Sequence, residues 1–287
     1  MNSTTSVLDC RKVAQKFQEW AAAEMSKLDE QPTLATVYYA PRRDDGSLQY
    51  RELIHKDAAR LGVAARDFEA KDEAQLIELI GKLNADEAVN GLMIFYPIGA
   101  RIADEDLMDL VSPIKDVEGL HSINLGYLIK FKQFLDEKQT VKCVVPATAK
   151  AVVKTLQHFE VPVDRRFVTI VNNSMRVGKP LGLMLENLGA TVVKCYDRTR
   201  REDLQGCLKR ADIVITAVPD PAFKLDPSWI KPGASVVDVS YQGNVDVGAL
   251  SSPAFVTAPD NRIGQVTRAM MFVNLIYCAR AQRVLRR

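Results

Sequence analysis

The sequence lacks the motifs that mark several common enzyme classes. Its five cysteines show no CxxC spacing, and its three histidines lack the mutual spacing typical of metal ligands. Neither a P-loop nor a G-x-S-x-G nucleophile elbow is present. We therefore expect no metal site and no disulfide framework, but reduced and mostly buried thiols.

Long apolar runs and an excess of one charge are also missing. The longest apolar run, residues 91–100, is about half as long as a membrane span and contains Pro97. The first residues lack the apolar core of a signal peptide. Lys plus Arg number 38 against 36 for Asp plus Glu, which leaves a formal charge of +2. We expect a cytoplasmic protein with no membrane or nucleic-acid partner.

What the sequence does contain is a regular alternation of apolar strands and amphipathic helices. A length of 287 residues corresponds to about two domains. The pattern predicts strands over 33–39, 91–95, 167–171, 191–195, 213–217 and 235–239, and helices over 13–28, 50–61, 73–83, 104–111, 147–159, 177–188, 203–209 and 265–285. Apolar strands separated by helices in this way predict an α/β fold with a parallel sheet covered on both faces.

The segment 168–182 predicts a strand, a short polar turn and a helix, an arrangement that presents free backbone N–H groups to a phosphate. The usual G-x-G-x-x-G is absent, because Asn172 and Ser174 replace its first two glycines and only Gly178 remains. Asp197 lies 19 residues after Gly178, just past the second strand, where a carboxylate can accept a hydrogen bond from a ribose 2′-OH. A solvated turn aspartate is the alternative interpretation of Asp197.

Candidate residues in the first half lie at a strand end and in a loop. Residues 96–98 end a buried strand, and residues 116–119 form a loop, so both could face the nucleotide half across a cleft. Glu118 offers a carboxylate there, unless it is an ordinary surface acid. Tyr50, at a helix start, could offer an aromatic face to a flat ligand, although a tyrosine in this position is more often part of the core or of an interface.

Four segments of the sequence carry a resemblance to a known family: VNGLMIFYP at 89–97, PIKDVEGLHSINLG at 113–126, SMRVGKP at 174–180 and ADIVITAV at 211–218. In this order, within a match from about residue 34 to residue 270, they resemble the methylenetetrahydrofolate dehydrogenase/cyclohydrolase family. The resemblance implies an N-terminal α/β folate lobe, residues 1–146 completed by the C-terminal helix 265–287, and a Rossmann-type lobe with a parallel sheet over 147–264 that binds NAD. It also implies folate in the cleft between the lobes, and a homodimer formed through the Rossmann lobe.

The resemblance further implies site residues. Tyr50 and Glu118 take the catalytic positions, with Tyr50 stacked on the pterin and Glu118 accepting from its amino and ring N–H groups. The remaining residues that would line the folate are Phe95, Pro97 and Gly264. Those that would contact the cofactor are Asn172, Asn173, Ser174, Arg176, Val177, Gly178, Asp197, Ala217 and Val218.

The first lobe departs from the family pattern at its polar positions. Bifunctional members carry Tyr-x-x-x-Lys on the helix after the first strand, whereas here Tyr50 is followed by Ile54. Lys56 lies two residues further on, a rotation of roughly 200°, so we expect it to point away from that face. Phe95 replaces a glutamine and Glu118 an aspartate. These changes predict a dehydrogenase that has lost its cyclohydrolase activity.

The second lobe departs from the pattern at the cofactor. Asn173 replaces an arginine that would pair with the 2′-phosphate of NADP, and Asp197 replaces a serine, and both changes favour NAD. A competing consideration is that Arg176, Arg198 or Arg200 holds the phosphate and gives dual specificity. The stretch APDNRIGQ at 258–265 also departs from the family's glycine-rich pattern.

The combined pattern is similar to the monofunctional NAD-dependent branch of the family. It implies oxidation of 5,10-methylenetetrahydrofolate to 5,10-methenyltetrahydrofolate with NAD. Two alternatives stay open. One is a bifunctional enzyme in which Lys56 or a water replaces the missing lysine. The other is a catalytically silent NAD- or folate-binding subunit, which the altered stretch 258–265 favours.

Overall fold

The computed structural model describes residues 5–42, 45–258, 260 and 262–285. In chain order the elements are β1 (Ser6–Leu8), α1 (Cys10–Met25), β2 (Thr33–Tyr39), α2 (Asp45–Leu61), β3 (Ala64–Ala70), α3 (Glu73–Ala85), β4 (Gly91–Ile94), α4 (Asp104–Leu110), α5 (Ser122–Ile129), α6 (Ala147–His158), β5 (Phe167–Val171), α7 (Gly178–Glu186), β6 (Thr191–Cys195), α8 (Arg201–Arg210), β7 (Ile213–Thr216), β8 (Ser235–Asp238), β9 (Phe255–Thr257) and α9 (Gly264–Leu285). Within these residues, no helix combines the length and apolar character that crossing a bilayer requires.

The chain divides into two compact units, each with its own sheet. The six-stranded unit comprises Met1–Gln15 and Thr148–Thr267, and the three-stranded unit comprises Lys16–Ala147 and Arg268–Arg287. All strands of both sheets are parallel. The predicted α/β fold with parallel sheets is therefore confirmed.

The strand order of the six-stranded unit is β1-β9-β8-β7-β5-β6. All four residues of β7 and of β8 are buried, as expected for apolar strands covered on both faces. From β5 the chain first adds β6 on one side and then β7 on the other. The carboxyl ends of β5 and β7 therefore lie at a topological switch point, where open parallel sheets usually bind their ligands.

In the three-stranded unit, β2 lies between β3 and β4. Its five central residues are buried, and Val37 and Ile94 lie side by side in a core cluster that also includes Leu76 and Leu107. β3 is an edge strand whose sequence carries Arg66, Asp67 and Glu69. These charges remove the apolar alternation by which a strand is recognised, so the sequence did not predict β3.

Most predicted elements match the structure, and the differences have local causes. The strands predicted over 33–39, 167–171 and 191–195 coincide with β2, β5 and β6. α2 begins at Asp45 rather than at residue 50, and an acidic residue in the first turn stabilises such a start. The short elements β1, β9 and α5 were not predicted. None of the described cysteines forms a disulfide bond, and four of the five are buried.

The resemblance implied a first lobe that begins at residue 1, but the first strand of the chain belongs to the other sheet. Strand β1 pairs in parallel with β9, with Ser6 opposite Phe255, so it extends the six-stranded sheet. Three residues paired on one side are too short to show a hydrophobic period, which is why the sequence does not indicate this strand.

A test of the local folding concerns α3, whose N-cap is Asp72. The Asp72 carboxylate accepts a hydrogen bond from the Gln75 backbone N–H at 2.8 Å. Asp72→Ala should lower the free energy of unfolding by about 1 kcal/mol, because one helix N–H loses its partner. The measurement is the midpoint of urea unfolding, with amide hydrogen exchange in α3 as a local readout. Asp72→Asn is the matched control, and equal losses in both variants would contradict the capping role.

Candidate functional site

The turn after β5 is organised by the side chain of Asn172. Its Oδ1 accepts hydrogen bonds from the N–H of Ser174 at 2.9 Å, the Ser174 hydroxyl at 2.8 Å and the N–H of Gly178 at 2.9 Å. Its Nδ2 donates to the carbonyl oxygen of Ala217 at 2.8 Å. One side chain thus ties the turn, the start of α7 and the end of β7 together at the switch point.

Gly178 is the residue that allows α7 to begin so close to β5. A Cβ at this position would lie 2.1 Å from the carbonyl oxygen of Asn172 and 2.8 Å from its Oδ1. No side chain can occupy that space without moving the backbone. Gly178 therefore has the packing role of the glycine in a dinucleotide-binding turn that brings helix and strand together.

The expectation that this turn offers free backbone N–H groups to a phosphate is wrong for four of its residues. The N–H groups of Ser174 and Gly178 donate to Asn172 Oδ1, that of Val177 donates to the Ser174 hydroxyl at 3.1 Å, and that of Lys179 to the Ser174 carbonyl at 3.1 Å. The physical reason is the replacement of two glycines by Asn172 and Ser174, whose side-chain and carbonyl oxygens accept these bonds.

The turn after β6 exposes Asp197. It is closed by two hydrogen bonds between Tyr196 and Thr199, one from the Tyr196 N–H to Thr199 Oγ1 at 2.9 Å and one from the Thr199 N–H to the Tyr196 carbonyl at 2.8 Å. Asp197 and Arg198 lie exposed at the tip of this turn. Arg200 forms an ion pair with Asp203 at 2.8 Å. Asn173 and Arg176 are half-buried in the turn after β5.

Sequence reasoning missed Asn244 and Asp238, which shape the ends of β7 and β8. The buried Asn244 accepts from Thr216 Oγ1 at 2.8 Å and from the Val218 N–H at 2.9 Å, and it donates to the Val218 carbonyl at 3.0 Å. The Asp238 carboxylate accepts from the Ser240 N–H at 3.0 Å. A run of polar residues directly after the buried strand β8 is the signal that could have identified them.

The altered stretch 258–265 places an arginine against the loop after β8. Arg262 Nη1 donates to the carbonyl oxygens of Ser240, at 2.8 Å, and of Tyr241. Its Nη2 would lie 2.6 Å from a Cβ on Gly243, a residue that also has φ +75°. Gly264, predicted to line the folate, is the exposed first residue of α9. Pro259 and Asn261 of this stretch lie outside the described residues.

In the three-stranded unit, a buried aspartate organises the loop that carries Glu118. The Asp116 carboxylate accepts from the N–H of Gly119 at 2.9 Å, the N–H of His121 at 2.8 Å and the amide of Asn124 at 2.9 Å. Burial raises the pKa of the Asp116 carboxyl, and these hydrogen bonds act in the opposite direction. The carboxylate thus folds the backbone around Glu118.

The same loop is held from two further sides. Asn274 of α9 donates from Nδ2 to the carbonyl oxygens of Val117 at 2.9 Å and Val145 at 3.0 Å. The N–H of Ala147 donates to the Glu118 carbonyl at 3.1 Å. Gly119 has φ +73°, and a Cβ there would lie 2.4 Å from the backbone of Val145. The half-buried Glu118 side chain therefore projects from a rigid backbone.

The aromatic side chains predicted to line the folate are in contact with one another. The rings of Tyr50 and Phe95 meet edge to face with centroids 6.5 Å apart, and Tyr38 meets Phe95 at 6.4 Å. Phe95 is only 4% exposed, whereas Pro97 is exposed. Ile54 is fully buried and Lys56 is exposed, which confirms that Lys56 lies off the buried face of α2. The catalytic roles of Tyr50 and Glu118 stay predictions.

Comparison with known proteins identifies both parts of the chain. The model of the tetrahydrofolate dehydrogenase/cyclohydrolase catalytic domain matches residues 8–118, and that of the NAD(P)-binding domain matches residues 146–283. The bifunctional protein FolD of Thermotoga petrophila is 33% identical over 285 residues, which cover 96% of this chain and 99% of that protein.

Solved structures agree with this result. A 5,10-methylenetetrahydrofolate dehydrogenase from the silkworm Bombyx mori has 27% sequence identity and a TM-score of 0.86, over 98% of this chain and 100% of that one. The bifunctional methylenetetrahydrofolate dehydrogenase/cyclohydrolase FolD from Campylobacter jejuni has 26% identity and a TM-score of 0.86, over 97% of this chain and 99% of that one. Dehydrogenases with and without a stated second activity are thus similar to this chain.

A substitution at Gly178 tests the turn after β5. Gly178→Ala should lower the free energy of unfolding by roughly 1–3 kcal/mol and weaken cofactor binding, because the new methyl group overlaps the Asn172 backbone. The control is Gly206→Ala in α8, where a Cβ meets nothing within 4 Å and alanine should be neutral or stabilising. Urea unfolding and calorimetric titration with NAD measure the two effects. Equal stability of both variants would refute the close-approach argument.

Proposed function

Because the chain belongs to the tetrahydrofolate dehydrogenase/cyclohydrolase family, we propose that it oxidises 5,10-methylenetetrahydrofolate to 5,10-methenyltetrahydrofolate with NAD and has lost the cyclohydrolase reaction. In this proposal the three-stranded unit binds the folate and the six-stranded unit binds NAD. We further propose a cytoplasmic homodimer that associates through the six-stranded unit. The family-model matches of the two parts support the division of roles.

The proposed reaction does not require a strong acid or base from the protein. A hydride leaves the one-carbon bridge with both electrons and adds to the nicotinamide of NAD, and the folate nitrogens stabilise the resulting cation. The enzyme's contribution is then to hold donor carbon and nicotinamide roughly 3 to 3.5 Å apart and to exclude water. Tyr50 would stack on the pterin, and Glu118 would accept hydrogen bonds from its amino and ring N–H groups.

The observation that carries the proposal is that two residues near Tyr50, Ile54 on the same helix and Phe95 after β4, are apolar. Ile54 is fully buried, and Phe95 is 4% exposed and packed between Tyr38 and Tyr50. These are the positions at which bifunctional members carry a lysine and a glutamine. Neither side chain can take up or release a proton, so neither can activate a water for hydrolysis of the methenyl product.

The preference for NAD rests on the tip of the turn after β6. An exposed carboxylate at Asp197 suits the free ribose 2′-OH, whereas a 2′-phosphate would bring about two negative charges towards it. Unit charges about 4 Å apart repel by roughly 4 kcal/mol at an effective dielectric near 20. The ion pair with Asp203 occupies Arg200, which disfavours its use for the phosphate.

A silent binding subunit is the second candidate, and Arg262 is the observation that favours it. The guanidinium fills the space above Gly243 and binds the Ser240 carbonyl, in a stretch where the family is rich in glycine. A silent subunit would bind NAD or tetrahydrofolate in calorimetry and yet form no NADH with 5,10-methylenetetrahydrofolate.

The loss of cyclohydrolase has a direct kinetic test. The purified chain, given 5,10-methylenetetrahydrofolate and NAD, should form NADH and accumulate the methenyl product, both followed at separate wavelengths. Supplied methenyltetrahydrofolate should decay at the buffer rate, because the missing acid–base help is typically worth about 10²- to 10⁴-fold. Lys56→Ala is the control that should change neither rate. Enzyme-catalysed decay that disappears in Lys56→Ala would instead establish a bifunctional enzyme.

The cofactor preference is tested by exchanging the two residues at the ribose. The native chain should favour NAD over NADP in kcat/KM by at least about a hundredfold. The combined Asp197→Ser and Asn173→Arg variant should lose most of that advantage, since it removes the repulsion and adds a partner for the phosphate. Glu202→Gln, which removes one exposed negative charge from α8, should leave the ratio unchanged. A native preference for NADP would falsify the role given to Asp197.

A further inference from the structure

The face of α2 that carries Tyr50 and Ile54 also carries a buried ion pair. Positions 50, 54 and 57 follow each other at the spacing of one helix face, and Asp57 is 8% exposed. Asp57 Oδ2 accepts from Nε of Arg268 on α9 at 2.7 Å, and the two side chains keep only 12% and 14% exposure. Both helices contribute these residues within the three-stranded unit.

Arg268 uses only one edge of its guanidinium. Nε is committed to Asp57, and across residues 5–42, 45–258, 260 and 262–285 neither Nη1 nor Nη2 donates a hydrogen bond. A guanidinium has five N–H donors in a rigid fork, so four of them are unused in a side chain that is mostly withdrawn from water. Neither Nη atom is fully buried, so both can reach an oxygen acceptor from outside the protein.

The direction of the side chains places these donors towards the predicted folate site. Helical side chains lean towards the N-terminus of their helix, so the Asp57 carboxylate leans back over the turn that contains Ile54. Arg268, bound to that carboxylate, therefore lies beside the turn between Asp57 and Ile54. Ile54 itself offers no hydrogen bond, whereas the guanidinium bound to Asp57 is a donor on the same face of α2.

We propose that Arg268 is a substrate-binding residue, whose free Nη groups donate to a carbonyl or carboxylate oxygen of the folate. The inference rests on the proposed function, since it takes its ligand from there. Arginine does not release its proton in proteins, so this contact can hold and orient a folate but cannot carry a proton for hydrolysis. The shared chemistry is an oxygen acceptor, which a folate offers at the pterin oxo group and at the glutamyl carboxylates.

The test compares two ion pairs on the same helix. Arg268→Met should raise KM for 5,10-methylenetetrahydrofolate and Kd for tetrahydrofolate about 10- to 100-fold, with a small change in kcat. Arg280→Met, which breaks the ion pair of α9 with Glu24, should lower the melting temperature but leave both constants unchanged. Arg268→Lys keeps the charge without the fork and should be intermediate. Equal constants in wild type and Arg268→Met, or an equal rise in Arg280→Met, would overturn the proposal.

Two further arms keep the result unambiguous. If Arg268→Met fails to fold, Asp57→Asn with Arg268→Met removes both members of the pair, so that the carboxylate no longer depends on Arg60 alone, which binds its Oδ1 at 2.9 Å. A substrate that lacks the glutamyl group should show the same loss in Arg268→Met if the pterin is bound, and no loss if the glutamyl group is bound. Calorimetry with tetrahydrofolate separates the proposed dehydrogenase function from the proposed role of Arg268. If the wild type is inactive but binds tetrahydrofolate, and Arg268→Met weakens this binding, only the dehydrogenase assignment is refuted.

Discussion

The hydrogen bonds of the Asn172 side chain are the interaction on which the rest of the six-stranded unit's site depends. The amide joins the turn after β5, the first residue of α7 and the residue that follows β7, because its oxygen accepts several hydrogen bonds while its nitrogen donates one. The approach it maintains is possible only with glycine at position 178. Any ligand at the switch point meets a surface that this amide has set.

Buried amides have the same task at two other places. Asn244 links Thr216 to both backbone groups of Val218, and Asn274 holds the carbonyl groups of Val117 and Val145. In each case the amide forms hydrogen bonds with backbone groups that lie outside helices and strands and close to a predicted site residue. A loop held in this way can carry a functional side chain with little loss of order, which suits an enzyme that works mainly by positioning.

The sequence predicted what depends on neighbours in the chain and missed what depends on distant partners. Helical periodicity sufficed to place Ile54 and Lys56 on different faces of α2, and turn chemistry placed Gly178 at the start of α7. It could not show that Asn274 reaches a carbonyl 157 positions away, or that Arg268 reaches Asp57 across 211 positions. Nor did it show that Asn172 and Ser174 would use the N–H groups of their own turn, because the same two residue types could also point their side chains to solvent in other rotamers.

Compared with the bifunctional members, the proposed folate site differs in where a positively charged side chain lies and in which residue carries the charge. The proposed oxidation leaves a cation on the folate, and a neighbouring positive charge would oppose it by roughly 4 kcal/mol at 4 Å and an effective dielectric near 20. A neutral Ile54 removes such a charge from the α2 face, and the Asp57 carboxylate binds the guanidinium of Arg268 through Oδ2 and that of Arg60 through Oδ1. In the proposed complex Arg268 would supply hydrogen bonds, and the shared Asp57 carboxylate would offset part of its charge, which would limit its opposition to the loss of the hydride. A lysine at position 54 would serve proton transfer to water, and hydride transfer does not require it.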